Sequence, residues 1–149
     1  MRTGRPINTK YFLAGLFFVL ISACSSETEN VLSPGKAVLE KGEVVYQKFC
    51  AECHGEQAEG APGWRWPNAE GFYPPPALDG SGHMWHHSLP ELRDTMNNGR
   101  MVSLVEGQPP VLRMPGWKDR LSAQEVDAVL AWLIARWPSE IRAEWQDVN

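Results

Sequence analysis

The stretch Cys50-Ala51-Glu52-Cys53-His54 decides the fold of this 149-residue chain. Two cysteines three positions apart on a helical turn can reach the two vinyl groups on one side of a porphyrin. The histidine that follows them then lies beneath the iron, with one ring nitrogen available to bind it. The spacing therefore predicts covalent attachment of one haem through Cys50 and Cys53, with His54 as an axial ligand of the iron.

The same spacing occurs in two other kinds of site. A thioredoxin-like dithiol follows a strand in a βαβ unit, whereas an amphipathic helical pattern precedes this motif. A zinc site usually has a second cysteine pair, and the chain has only one further cysteine, Cys24. Haem attachment is therefore favoured over both alternatives.

The N-terminus has the three-part layout of a secretory signal. Basic residues precede an apolar run over residues 11–21, which is short for a membrane span, and small residues lead to Cys24. Ile21-Ser22-Ala23-Cys24 resembles the lipobox of bacterial lipoproteins, whose cysteine becomes the lipid-carrying N-terminus. We expect residues 1–23 to be the signal peptide and acyl chains on Cys24 to hold the protein at a membrane. The alternatives are an ordinary signal cut near Ala23 and an uncleaved anchor helix.

The cysteine count and the residue after Cys24 agree with export to the periplasmic side of a bacterial membrane. Ser25, rather than an aspartate, resembles the outer-membrane choice of Gram-negative lipoproteins. With lipid on Cys24 and haem on Cys50 and Cys53, no thiol of the exported protein is left without a role.

The charge balance bears on the partners. Residues 1–23 hold three of the fourteen basic residues and no acidic one, so the remainder has eleven basic against eighteen acidic residues, a net charge of −7. This balance argues against nucleic acid as a partner, because phosphates attract lysine and arginine. It favours basic faces on redox partner proteins of the envelope.

Apolar periodicity predicts an all-α domain with three main helices and two long loops. The first helix covers residues 37–50 and ends at the haem motif. Capping boxes that start with Ser88 and Ser122 open the other two helices. The tail, residues 139–149, suggests a short additional helix, and no alternating run predicts a sheet.

The chain divides accordingly beyond the signal peptide. Residues 24–34 are polar and small, which predicts a flexible tether. Residues 35–149 are expected to form one small domain, in which a large apolar cofactor would supply much of the core.

Outward from the haem motif, the chain resembles the class I, mitochondrial-like family of monohaem c-type cytochromes. Gly42-x-x-x-Tyr46-x-x-x-Cys50 is similar to that family's first helix, and Trp132 to the aromatic residue of its last helix. Pro76-Ala77-Leu78 resembles the proline-x-leucine whose proline carbonyl accepts a hydrogen bond from the histidine ligand. The resemblance implies a cytochrome c fold, one covalent haem c and an electron carrier, not an enzyme. The alternative for Pro76 is a plain turn proline.

The second axial ligand is expected to be Met114, which follows His54 by sixty residues in a loop before the last helix. Pro115 follows it, as in the family's Met-Pro pair, and stiffens the backbone beside the sulfur. Met96 lies on the apolar stripe of a helix and is expected in the core. Two other loop methionines remain open as ligands: Met84 and Met101. A methionine–histidine iron suits electron transfer more than substrate binding.

Two alternative functions stay open beside the electron carrier. The chain could be a haem subunit of a larger periplasmic oxidoreductase. It could instead handle copper through three histidines of one loop: His83, His86 and His87. One of these histidines could also replace Met114 as a ligand of the iron. A loop at the haem edge is favoured, because adjacent histidines point in different directions and no fourth ligand is evident. Seven tryptophans, Trp64 and Trp66 among them, suggest a docking face or a cover over the haem edge.

Overall fold

The computed structural model describes residues 31–102, 111–147 and 149. Its α-helices are α1 Lys36–Phe49, α2 Ala51–His54, α3 Leu89–Asn98, α4 Ala123–Ala135 and α5 Ser139–Gln146. The three predicted main helices are α1, α3 and α4, and α5 is the predicted additional one. The all-α fold with long loops is therefore confirmed.

The predicted signal peptide and lipid-bearing Cys24 lie outside the described residues and stay predictions. The packed part of the chain reaches Val31, inside the segment predicted as a tether, because Val31 is buried in the core. Gln146 of α5 also donates a hydrogen bond to the Leu32 carbonyl at 2.8 Å. Within the described ranges, no helix has both the length and the apolar character needed to cross a membrane.

Helices α1 and α4 form the centre of the fold and cross at Gly42. A Cβ atom at Gly42 would collide with the Ala128 carbonyl oxygen and lie 2.8 Å from the Trp132 Cβ. Glycine therefore permits the close crossing. One turn further, the ring of fully buried Tyr46 stacks on that of Trp132 with centroids 4.6 Å apart. The crossing fixes the C-terminal end of α1, where Cys50 follows.

Helix α4 begins at a capping box, as the sequence predicts. The Ser122 hydroxyl accepts a hydrogen bond from the Glu125 amide, and the Glu125 carboxylate accepts one from the Ser122 amide. Most of α4 is apolar and buried, since the helix packs against α1 and α3. Arg93 of α3 and Asp127 of α4 form a two-pronged ion pair at 2.6 and 3.0 Å.

A small antiparallel hairpin was not predicted by the sequence pattern. Strand β1, Arg100–Val102, pairs with β2, Val111–Met114, and places Arg100 opposite Met114. Strands of three and four residues are too short to show an alternating pattern, which is why periodicity missed them. The prediction that Met114 lies in a loop is thus wrong, because the residue ends a strand.

The C-terminal segment closes the fold over the long loop between α2 and α3. Trp137 and Trp145 are buried, with their rings edge to face at 5.4 Å. The Trp137 indole N–H donates to the Leu78 carbonyl at 2.9 Å, and that of Trp145 donates to the His87 carbonyl at 2.7 Å. Two parts of the loop are therefore fixed to the helical core.

Candidate haem-binding site

The cysteine motif starts at Cys50, between α1 and α2, and continues through α2, which is a single helical turn. Cys50 caps the C-terminal end of α1, with its amide bonded to the Tyr46 carbonyl at 2.8 Å, and its own carbonyl accepts a hydrogen bond from the His54 amide at 2.9 Å. The Cys50 thiol is buried, and burial, with a smaller contribution from neighbouring Cys53, raises its pKa to about 11. The Cys53 thiol is exposed, and neither cysteine is in a disulfide. The turn thus holds two free thiols and an imidazole in one short segment.

His54 is the buried polar residue of this site. Its side chain is 8% exposed, and Nδ1 lies 2.8 Å from the Pro76 carbonyl oxygen. Because a carbonyl only accepts hydrogen bonds, Nδ1 carries the proton and donates it. Burial lowers the pKa of His54, and the bond to Pro76 opposes this shift only in part, so the neutral ring is favoured. The contact between His54 and Pro76 has the geometry that the family resemblance implies.

The other ring nitrogen of His54 is the observation that tests the fit of a haem. Nε2 makes no hydrogen bond with any residue that the structure describes. A buried nitrogen with a free lone pair is costly unless a ligand occupies it. Neutral imidazole with Nδ1 held by a carbonyl is the form that binds iron. The residues of the motif therefore fit a haem iron on the Nε2 side.

Two loop segments hold the Pro76 carbonyl in place. The Gly60 amide donates to the His54 carbonyl at 2.7 Å, and the Leu78 amide donates to the Ala58 carbonyl at 2.8 Å. At Gly60, where φ is +84°, a Cβ atom would lie 2.5 Å from the Ala77 amide nitrogen. Glycine at this position lets the segment after α2 approach the proline segment closely.

Tyr46 adds a hydrogen bond that the sequence analysis did not predict. Its hydroxyl donates to the Gly55 carbonyl at 2.7 Å, directly after His54. Burial raises the pKa of Tyr46 well above its usual value, so the hydroxyl keeps its proton and remains a donor. The sequence assigned Tyr46 to packing alone, because no local pattern links residues nine positions apart.

Met114 is partly buried and packs against the edge of the core. Its carbonyl lies against Gly99, where a Cβ atom would collide with it. Trp117 is anchored by its amide to the Met96 carbonyl at 2.9 Å, and its ring meets that of Phe49 edge to face at 5.4 Å. The structure thus unites Cys50, Cys53, His54 and Pro76 directly, and links the Met114 segment to them through Trp117.

The other methionines differ from Met114 in their surroundings. Met96 is buried in the core, as predicted, and so is Met84 in the short 3₁₀ turn Met84–His86. Met101 on β1 is 55% exposed. Met114 is therefore the methionine that lies half-buried at the end of the hairpin, beside Pro115.

The chain matches the model of the family described as cytochrome c oxidase, cbb3-type, subunit III, over residues 37–133. The match covers 97 of the 149 residues and includes the cysteine motif, Pro76 and Met114. The chain belongs to this family. It is a c-type cytochrome domain, which binds haem and carries electrons. No curated protein matches the chain.

The histidine-rich loop of the cytochrome does not assemble a three-ligand metal site. The rings of His83 and His87 lie 5.8 Å apart, whereas His86 stacks on Trp85 at 3.7 Å. In the described ranges, no three histidine, cysteine, aspartate or glutamate side chains form a group that could hold a metal. Partial burial, followed by the nearby His87, lowers the pKa of His83. The copper-handling alternative therefore gains no support from the loop.

Proposed function

We propose that this cytochrome carries single electrons through one haem c, bound by thioether bonds to Cys50 and Cys53. His54 and Met114 would be the axial ligands of the iron. The observation that carries the proposal is the buried His54 ring, whose Nδ1 donates to the Pro76 carbonyl and whose Nε2 has no hydrogen bond to any described residue. When bound, the haem supplies an iron that gains and loses one electron.

The residues around His54 would keep this ligand in a single orientation. The Pro76 carbonyl fixes the ring and raises its basicity, which favours the bond to iron. Tyr46 and Gly60 hold the C-terminal end of the turn through the Gly55 and His54 carbonyls. A site that does not rearrange between oxidation states suits rapid one-electron exchange.

Met114 would complete the iron coordination with a thioether sulfur. Methionine and histidine together as ligands would raise the reduction potential of the haem iron. The hairpin and Pro115 restrict the backbone beside the sulfur, since proline fixes its own φ and limits the preceding residue. Both constraints support a ligand that stays in place.

We also propose that lipid on Cys24 anchors the protein on the periplasmic side of a membrane, with Ser25 favouring the outer membrane. The support is the sequence of residues 1–25 alone. The partners of the protein would be redox proteins of the envelope, which the anchored domain would reach because the tether lets it move away from the membrane.

A second candidate is a haem subunit of an oxidase complex, and the description of the matching family favours it. The two candidates share the same site chemistry and differ in assembly. A stable complex with oxidase activity after purification from native membranes supports the subunit, and a cytochrome purified without partners supports the carrier.

Optical spectroscopy of protein matured in a haem-loading, oxidising compartment tests the proposal. We expect a pyridine haemochrome typical of two thioether bonds and the far-red band of sulfur-to-iron charge transfer. Met114→Ala should lose the far-red band and keep covalent haem. The matched control Met101→Ala should keep both, because its side chain is exposed.

Two further variants separate haem attachment from the anchor. Cys53→Ser should change the haemochrome to that of a single thioether, whereas Cys24→Ser should keep the spectrum and leave the membrane fraction. Release of haem from the unchanged protein into acidified organic solvent would contradict covalent attachment. A far-red band that survives in Met114→Ala would contradict the assignment of the sixth ligand.

A further inference from the structure

Most of the large apolar side chains that are exposed among the described residues lie in one loop or in the hairpin. Among the described residues, the large exposed ones are Val44, Trp66, Tyr73, Met101 and Val102. All but Val44 belong to the loop over residues 66–73 or to β1. The Arg113 guanidinium of β2 lies 4.2 Å from the centroid of the Phe72 ring, which joins that loop to the hairpin. We call the surface made of Tyr73, Met101, Val102, Arg100 and Arg113, where Phe72 meets Arg113, the hairpin face.

Three arginines, Arg65, Arg113 and Arg120, form no ion pair with a carboxylate in the described ranges. Arg65 lies over Trp64 at 4.1 Å, Arg113 over Phe72, and Arg120 5.5 Å from the ring of Trp117. By contrast, Arg93 on α3 is paired with Asp127. A guanidinium on an aromatic ring keeps its charge and most of its donors free for another molecule.

The local charge is opposite in sign to that of the whole chain. Segments 61–75 and 99–120 together hold five arginines or lysines against three acidic residues, a net charge of +2. The full chain has a net charge of −4. A basic region on an acidic protein orients the molecule toward an acidic surface, although the total charge alone favours basic ones.

The hairpin face lies next to Met114, which links its positive charge to electron transfer. Arg100 lies opposite Met114 in the hairpin, and Arg113 directly precedes it. A partner seated here would approach the proposed sulfur ligand, and electron transfer is faster over shorter distances. Apolar side chains ringed by charged ones are typical of the centre and rim of a protein interface.

We propose that the hairpin face is the surface on which the cytochrome docks to an acidic face of its redox partner protein. The proposal rests on the proposed electron-transfer function. The exposed apolar residues would be desolvated at the centre of the contact, and the arginines would steer and orient the encounter.

Voltammetry of the matured, haem-loaded protein on coated gold tests the proposal. The probe is a mixed monolayer with carboxylate and methyl ends, compared with an amine-ended monolayer. We expect adsorption with a redox wave on the carboxylate surface despite the acidic net charge. Arg113→Glu should lower the electroactive coverage about tenfold at low ionic strength, and salt should abolish the difference.

Matched controls distinguish the effect of the hairpin face from effects of the overall charge and hydrophobicity of the protein. Lys36→Glu makes the same charge change on α1, at a side chain that is 89% exposed. It should change the coverage by less than about twofold. Met101→Ser should lower coverage, whereas Val44→Ser, at an apolar side chain outside the face that is exposed to a similar degree, should not. Arg100→Glu gives a second charge variant if Arg113→Glu disturbs the optical spectrum.

Several results would overturn the docking proposal alone. These are preferred adsorption on the amine surface, an equal loss in Lys36→Glu, or unchanged coverage in both arginine variants with an intact haem spectrum. A dimer in sedimentation that Arg113→Glu dissociates would assign the face to a second copy. A preference for phosphatidylglycerol over phosphatidylcholine vesicles that Arg113→Glu abolishes would assign it to lipid. A colourless protein would instead refute the proposed function, and the docking proposal with it.

Discussion

Tyr46 shows how one side chain serves both packing and the site. Its ring fills the crossing of α1 and α4, and its hydroxyl satisfies the Gly55 carbonyl beside His54. Tyr46→Phe keeps the ring and removes only the donor. Because a partly buried carbonyl then loses its partner, we expect a loss of about 1–2 kcal/mol in the free energy of unfolding. Urea unfolding of the haem-loaded protein, followed by circular dichroism, measures it.

Tyr73→Phe is the matched control for this prediction. Tyr73 is 63% exposed, so the same chemical change there should alter stability by less than about 0.5 kcal/mol. Equal stability of the two variants would show that the hydrogen bond to Gly55 contributes nothing.

At the scale of residues, the sequence predicted what is local and missed what is distant. The cysteines and His54 lie within five consecutive positions, so their geometry follows from one helical turn. The contact of His54 with Pro76 spans 22 positions and was expected only through a family resemblance. The bond from Tyr46 to Gly55 leaves no trace in composition or periodicity. Met114 is an intermediate case, because its neighbour Pro115 is visible in the sequence, whereas the strand that ends at Met114 was not predicted.

Helix α4 offers a prediction at the scale of the element. Ser122→Ala removes the hydroxyl that accepts the Glu125 amide and donates to the Glu125 carboxylate. The loss of an N-cap lowers the free energy of unfolding by about 1 kcal/mol. Ser139→Ala is the control, because Ser139 in the first turn of α5 makes no capping bond. Thermal unfolding that affects both variants equally would contradict a specific role of the cap.

The same cap predicts a pH dependence. Hydrogen bonds from the Ser122 amide and hydroxyl lower the pKa of Glu125 below its ordinary value of 4.5. A carboxyl with a lowered pKa in the folded state stabilises the protein above its ordinary pKa and loses this effect as the pH falls. The stability difference between the native protein and Ser122→Ala should therefore be largest near neutral pH and shrink below about pH 4.5.

Elements with strong end signals were predictable, and short ones were not. The capping boxes at Ser88 and Ser122 and the apolar stripes placed the main helices without any structural knowledge. The hairpin depends on contacts with Gly99 and the end of α3, which no short window of sequence contains. Its strands form because the fold brings them together.

At the scale of the whole molecule, the C-terminal segment secures parts of the chain that are far apart in sequence. Residues 134–149 lie beyond the family match, yet Trp137, Trp145, Gln146 and Asn149 bond to the main chain of three other segments. Their acceptors and donors lie at Leu32, Leu78, His87 and Leu89. The segment over residues 134–149, which we call the clasp, thus binds both the segment before α1 and the histidine-rich loop.

Trp145→Phe tests this clasp. The substitution keeps an aromatic ring in the core and removes the donor to the His87 carbonyl, so we expect unfolding to become easier by about 1–3 kcal/mol. The Leu89 amide, which donates to Asn149 at 2.8 Å, should exchange its hydrogen faster, because α5 would no longer hold the loop firmly. Trp66→Phe, at a side chain 75% exposed, should leave both measurements unchanged. If hydrogen exchange at Leu89 stays slow while global stability falls, Trp145 contributes only to the core, and the C-terminal segment does not hold the loop in place. If exchange speeds up and the optical spectrum is unchanged, the loop is held by α5 independently of the haem site.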